Sequence, residues 1–276
     1  MSTVCTLCPH HCQLESGQTG LCRARKNRDG TIQCSNYGQL TALALDPIEK
    51  KPLRRFYPGS YILSVGSYGC NLRCPFCQNS SISMAGEESG TLFVSPEQLV
   101  QKAQEFAHAP RGNIGLAFTY NEPLVGYEYV RDCSQLAHIK GLKTVVVTNG
   151  MICKEPFQKL LPLIDAINID LKGFTPQYYR HLGGDLKTVM QNIVLALQFC
   201  HVEVTTLIVP GENDSAKEMS AEASWLASLS PDIPLHISRF FPRYREEDKE
   251  PTPVHVIYHL CEIARQFLHD VYPGNC

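Results

Sequence analysis

From Tyr61 onward, short apolar runs alternate with amphipathic stretches. Runs of β-branched and other apolar residues bounded by turns read as buried strands, which predicts strands at 61–65, 114–118, 144–148, 166–169, 202–207 and 235–237. A last strand-like element at 271–275 is placed to close the open side of a sheet. The stretches between carry helix starts. Ser95-Pro96-Glu97-Gln98 offers an N-cap, a proline at the first helical position and a capping-box partner. Ser215 and Glu218 repeat the capping spacing ahead of Trp225. Thr252-Pro253 opens a helix with Val256, Ile257, Leu260, Ile263, Ala264 and Phe267 at helical spacing. Six strands alternating with helices predict right-handed βαβ units and a parallel sheet. A closed barrel needs eight such units and there is room for about six. The expected fold is therefore α/β, a partial (β/α)6 TIM-like barrel, whose functional residues gather at the C-terminal strand ends.

The first 58 residues break this pattern, with five cysteines and little helical periodicity. Residues 1–58 are expected to form a Cys-rich N-terminal extension and 59–276 the barrel, with Pro47, Pro52 and Pro58 punctuating a linker. The net charge of −2 gives no nucleic-acid footprint. Lys50, Lys51, Arg54 and Arg55, the densest basic cluster, read as a solvated face or an anion contact. No run of about 18 apolar residues predicts a membrane span, and the residues after Met1 lack a signal-peptide pattern. The 13 cysteines, an odd number, read as metal ligands and reduced thiols, and a cytoplasmic location is expected.

Candidate chemistry begins directly after the first strand, where Cys70, Cys74 and Cys77 stand at C-x3-C-x2-C spacing in GCNLRCPFCQN. Three thiolates on one loop can hold three irons of a [4Fe–4S] cubane, which ordinarily takes four cysteines. The iron left without a ligand is an open coordination site, where metals do chemistry. A zinc knuckle with a distant fourth ligand is the competing reading of the same spacing. Thr119-Tyr120-Asn121-Glu122-Pro123 leaves the second strand, Thr148-Asn149-Gly150 the third, and Asp170-Leu171-Lys172 the fourth. Read alone, Glu122 suits a capping role, Asn149-Gly150 an ordinary turn, and His236 a satisfied core histidine near a barrel mouth.

The cysteine loop resembles that of the radical S-adenosylmethionine (SAM) superfamily, in which SAM chelates the fourth iron. The resemblance implies reductive cleavage of SAM to methionine and a 5′-deoxyadenosyl radical that abstracts hydrogen from a substrate. It assigns the cluster to Cys70, Cys74 and Cys77, and an aromatic contact with adenine to Phe76. TYNEP stands where the superfamily carries its GGE motif, so Asn121 and Glu122 are expected to orient the SAM amino group. Thr148, Asn149, Asp170 and Arg239 are expected as further SAM contacts. Glycyl-radical-enzyme activases carry an Asp where this sequence has Val147, so only Asp170 of their cation pair has a counterpart.

Cys5-x2-Cys8-Pro9-His10-His11-Cys12, Gly20-Leu21-Cys22, the string DPIEKKPL and SRFFP narrow the resemblance. Together they look like the AmmeMemoRadiSam system radical SAM enzyme family, related to pyruvate formate-lyase activating enzymes. Many members of that family continue past a VYxGN ending to a further cysteine pair, whereas this sequence ends at Cys276. Cys8, Cys12 and Cys22 are the expected ligands of a second metal site, either zinc or an auxiliary iron–sulfur cluster. Expected partners are SAM, an electron donor such as flavodoxin or ferredoxin, and Memo-like system proteins or a glycyl-radical enzyme. The alternatives are a glycyl-radical-enzyme activase and a non-enzymatic zinc-binding interaction protein.

Overall fold

The computed structural model describes residues 1–276, and eight of its strands form one sheet. In chain order they are β1 (Ala42–Pro47), β2 (Tyr61–Gly66), β3 (Gly115–Phe118), β4 (Lys143–Thr148), β5 (Ala166–Asp170), β6 (His201–Ile208), β7 (Leu235–Arg239) and β8 (Val271–Gly274). Their spatial order follows the chain, and all pairs from β2 to β8 are parallel. Only β1 runs antiparallel, against β2. This is the partial barrel of parallel strands that the alternating pattern predicts. The strand β1 was missed because it ends in proline and pairs on one side only, as edge strands do. Gly115 allows β3 and β4 to pair, since a Cβ there would meet the Lys143 carbonyl oxygen at 1.8 Å.

Helices over Pro96–Ala107, Tyr127–Ile139, Leu186–Ala196, Ala216–Leu229 and Val254–Ala264 connect the strands. Their buried faces share one apolar core with the sheet, each fully buried Leu, Ile or Phe contributing about 1.5–3 kcal/mol. The Ser95 capping box forms in both directions with Gln98. At Ser215 only half of it forms. Its hydroxyl caps the Glu218 amide, while the Glu218 carboxylate accepts instead from the Phe174 amide. Thr252 does not cap its helix, because its hydroxyl donates to the Ile208 carbonyl at the end of β6.

The stretch read as a linker is a plug. Ile48, Leu53 and Phe56 pack with Ile62, Ala117, Val145 and Ala166 and fill the end of the barrel where the parallel strands begin. Glu203, fully buried on β6, accepts from the amides of Arg54 (3.0 Å) and Arg55 (2.7 Å) and fixes the plug from below. His201 and His236 flank the same carboxylate at 2.9 and 2.6 Å. His236 thus lies at the closed end of the barrel, away from its mouth, bound to Glu203.

The N-terminal segment is built from two-stranded pieces, Thr3–Val4 with Gln13–Leu14 and Arg25–Arg28 with Thr31–Cys34. It docks on the rim beside the cysteine loop. Arg25 forks onto the Glu128 carboxylate, and Asn36 donates to the Tyr68 carbonyl at 2.8 Å. No helix is long and apolar enough to cross a membrane.

Candidate active site

Every parallel strand from β2 to β7 delivers a residue, at its end or just beyond, to one cleft of about 320 Å³ at the C-terminal edge of the sheet. That size lies at the small end of ligand sites. Cys70, Cys74 and Cys77 line it after β2, with Phe76 buried between the last two. Asn121 and Glu122 enter after β3, Thr148 and Asn149 at the end of β4, and Asp170 at the end of β5. Thr205, Leu207, Ser238 and Asn275 face them.

Glu122 is the hub. Its Oε1 accepts from Thr148 Oγ1 (2.6 Å) and the Leu124 amide (3.0 Å), and its Oε2 from the Asn149 amide (2.7 Å). Burial pushes this carboxyl up to about 7, against those three donors. The Asn149 side chain continues the network. Its Nδ2 donates to Asn71 Oδ1 at 2.9 Å and lies 3.6 Å from Cys70 Sγ, joining the β4 turn to the cysteine loop. Asn121 turns inward, its Oδ1 accepting from the Ser67 amide and its Nδ2 donating to the carbonyls of Tyr68, Gly69 and Glu122. In this position it holds the start of the cysteine loop.

Lys172 stands against the thiols from the other side. Its ammonium pairs with Asp170 at 2.8 Å, and although burial opposes its charge, Asp170, Cys74 and Cys77 together raise its pKa. Burial pushes the Cys74 thiol up to about 12 and that of Cys70 well above the ordinary range, so both need a metal to ionise them. No three His, Cys, Asp or Glu side chains in the chain converge at ligand distance, so coordination requires the thiols to lose protons and rotate inward. The donor set still suits a cubane with one open iron: three thiols on one loop, a lysine facing them, and adjoining space for a ligand. Tyr178, whose buried hydroxyl has no partner, lies within electrostatic reach of Cys74.

The cleft floor was not legible in the sequence. Lys51, in the basic cluster read as a solvated face or an anion contact, is 2% exposed. Its ammonium pairs with Asp46 at 2.8 Å and sits 4.7 Å from the centre of the Tyr120 ring. Tyr120 donates to the same carboxylate at 2.6 Å from a left-handed backbone (φ 74°), which a non-glycine residue adopts at a cost. Buried beside this floor, Asn168 Oδ1 and Thr205 Oγ1 have no hydrogen-bond partner. Arg239 is not brought into the cleft. Its Nε donates to the Thr252 carbonyl at 2.7 Å and its guanidinium lies over the Phe241 ring. Cys8, Cys12 and Cys22 lie outside the cleft too, around a separate small pocket that also contains Cys5.

A model of the radical SAM superfamily matches residues 64–223, more than half of the chain. The chain belongs to the radical SAM superfamily. Uncharacterized protein MJ0808 of Methanocaldococcus jannaschii is 39% identical over 275 residues, covering 98% of this chain and 80% of that protein. Pyruvate formate-lyase 1-activating enzyme of Escherichia coli is 26% identical over 53% of this chain and 60% of that enzyme. GTP 3′,8-cyclase of Pseudomonas entomophila is 30% identical over 52% of this chain, which spans only 44% of the cyclase. Two solved structures show the same fold. TYW1 with a lysine-pyruvate adduct bound covers 82% of this chain and matches over 83% of its own length, with a TM-score of 0.54 and 17% identity. Streptococcus suis SuiB bound to S-adenosylmethionine covers 78% of this chain and matches over 52% of its own, with a TM-score of 0.57 and 13% identity. This radical SAM protein is an enzyme related to pyruvate formate-lyase activating enzymes, and its family implies a [4Fe–4S] cluster and SAM.

Proposed function

We propose that this enzyme cleaves SAM reductively in the β2–β7 cleft and directs the 5′-deoxyadenosyl radical at a small polar substrate, as an AmmeMemoRadiSam-system enzyme. The carrying observation is the cleft itself: three thiols, the Glu122 network and a closed polar floor open on one volume. Cys70, Cys74 and Cys77 would hold the cluster, which when bound would supply the electron and an open iron for SAM. Around it, Glu122 accepts an N–H bond from the SAM amino group, Phe76 packs on the adenine, and the Thr148-Asn149 turn holds Glu122 in place. Asn121 positions the loop, and Asp170 orients Lys172 against the thiols. Fixing the sulfonium beside the cluster makes electron transfer intramolecular, which is the chain's main contribution to rate. An electron donor of the flavodoxin or ferredoxin type supplies the reductant, and Memo-like proteins are the expected system partners.

Likeness to activating enzymes supports a second reading, abstraction from a backbone glycine of a partner protein. The plugged floor, with Lys51, Tyr120 and Thr205 lining the cleft above it, favours a small polar molecule. The test is anaerobic reconstitution followed by dithionite and SAM. The expected outcome is 5′-deoxyadenosine, abolished in Cys74→Ala; no 5′-deoxyadenosine from the unaltered protein would sink the catalytic reading and favour a zinc-binding interaction protein. A glycyl-radical signal on mixing with a partner protein would shift the assignment to the activase.

A further inference from the structure

Four cysteines that the catalytic site does not use gather around one pocket in the N-terminal segment, and like the cluster thiols they would have to rotate inward to reach ligand distance. Cys5, Cys8, Cys12 and Cys22 all line a single enclosed pocket, walled on its far side by apolar residues. The backbone brings them there. Thr3–Val4 pairs with Gln13–Leu14, and the Cys5 amide donates to the Cys12 carbonyl at 2.9 Å, placing these two residues opposite each other. Cys8 opens a tight turn closed by the His11 amide on the Cys8 carbonyl at 3.1 Å, and Cys22 sits inside the turn that the Arg23 amide closes on the Gly20 carbonyl at 2.9 Å. His11 and Arg23, with φ of 42° and 65°, reverse the chain just after the two sulfurs.

We propose that Cys5, Cys8, Cys12 and Cys22 bind one zinc ion as a tetrahedral tetrathiolate. The cavity between them measures about 10 Å³, room for about one water-sized sphere, which admits a single ion and excludes an auxiliary cubane. A second observation points to the charge of the occupant. Arg25 lines the same pocket and is buried, and while its two terminal nitrogens fork onto Glu128, its Nε–H has no partner. The Glu128 carboxylate balances the guanidinium charge, but a buried N–H without an acceptor is costly. Zinc with four thiolates carries a net charge of −2, and its sulfurs would supply an acceptor of matching sign. Four sulfurs complete the coordination without His10, whose Nε2 lies 2.8 Å from the Asn71 carbonyl.

That last contact gives the site a task. Asn71 belongs to the catalytic cysteine loop, lines the same pocket as Cys8, and also binds Asn149 and the Met151 carbonyl. The zinc therefore staples a segment too small to bury a core of its own, and holds it against the loop that carries Cys70, Cys74 and Cys77.

The test is metal counting on the full chain, produced with both iron and zinc supplied and handled anaerobically. One zinc per chain is expected in the unaltered protein and equally in the Cys70→Ala/Cys74→Ala/Cys77→Ala variant, which lacks the cubane. The Cys5→Ser/Cys22→Ser variant is expected to lose zinc by about tenfold or more. Absence of zinc from the unaltered protein, zinc that disappears with the Cys70–Cys77 thiols, or iron in excess of one cubane overturns the proposal. Should the serine variant fail to fold, X-ray absorption at the zinc edge on the triple alanine variant decides. Four sulfurs at about 2.3 Å support the assignment, and any nitrogen ligand overturns it. Because zinc is read separately from 5′-deoxyadenosine, failure here leaves the catalytic reading intact, and the reverse holds as well.

Discussion

Burial raises the Glu122 carboxyl to about 7, so the ionised form is the costly one in the folded chain. Its contribution to stability is greatest at low pH and falls as pH rises from the ordinary value of 4.5 toward 7. A bound N–H donor reverses the preference and expels the proton. Between pH 6 and pH 7, SAM affinity is therefore expected to rise about fivefold more in the unaltered protein than in Glu122→Gln, since deprotonation of the SAM amine is common to both. Equilibrium dialysis measures it; the same slope in the two proteins would show that this carboxylate does not meet the amino group. Position made Glu122 legible, since a carboxylate just past a predicted strand end falls at the mouth of a parallel barrel. Lys51 was not legible, because only the fold shows that its neighbour Lys50 points to solvent while it points inward. Lys51→Met removes the buried cation from Asp46 and leaves its carboxylate only the Tyr120 hydroxyl and the exposed Lys50, an expected loss of about 2 kcal/mol in denaturant unfolding. Lys50→Met, at an exposed 3.6 Å pair, is expected to change stability by about 0.5 kcal/mol or less. Equal losses in the two variants would contradict the buried pairing, and Asp46→Asn combined with Lys51→Met is expected to recover most of the first.

Among the elements, strands and caps follow from neighbours in sequence, and these were readable. The capping box at Ser95 closes within three residues, and β2 through β7 begin and end within two residues of the apolar runs. The plug was unreadable because it has no period of its own and its partner is remote: Arg54 and Arg55 reach Glu203 across 149 and 148 residues. Burial alone would raise the Glu203 carboxyl, but His201, His236 and the two plug amides outweigh it and hold it at about 2. A lowered carboxyl stabilises the fold above its unfolded value of 4.5, and that contribution is lost as pH falls toward 2. The size is about 3 kcal/mol. Glu203→Gln is expected to be less stable at pH 7 and to lose less stability between pH 5 and pH 2 than the unaltered chain. Acid unfolding followed by circular dichroism measures both, and identical acid slopes would place the pH sensitivity elsewhere.

For the whole molecule, the question is whether the cysteine-rich segment is an appendage or a part of the catalytic loop's support. Three backbone positions of that loop are held from the N-terminal side: Tyr68 by Asn36, Asn71 by His10, and Gly69 by close packing on Cys22. Gly69 has a φ of 91°, and a Cβ there would come within 2.5 Å of the Cys22 carbonyl oxygen. Gly69→Ala thus combines two penalties, a left-handed backbone and a collision that pushes the segment off the loop. Gly211 separates them. Its φ of 77° carries the same backbone penalty, but nothing lies within 4 Å of an added Cβ. Gly211→Ala is expected to cost about 1 kcal/mol and to keep the iron of one cubane after reconstitution. Gly69→Ala is expected to cost more and to fall clearly below that iron content, because moving the Cys22 turn displaces the backbone next to Cys70. Iron per chain after desalting, read beside the unfolding midpoint, distinguishes the cases. If the two variants retain iron equally, the segment is an appendage and the cluster loop stands on the barrel alone.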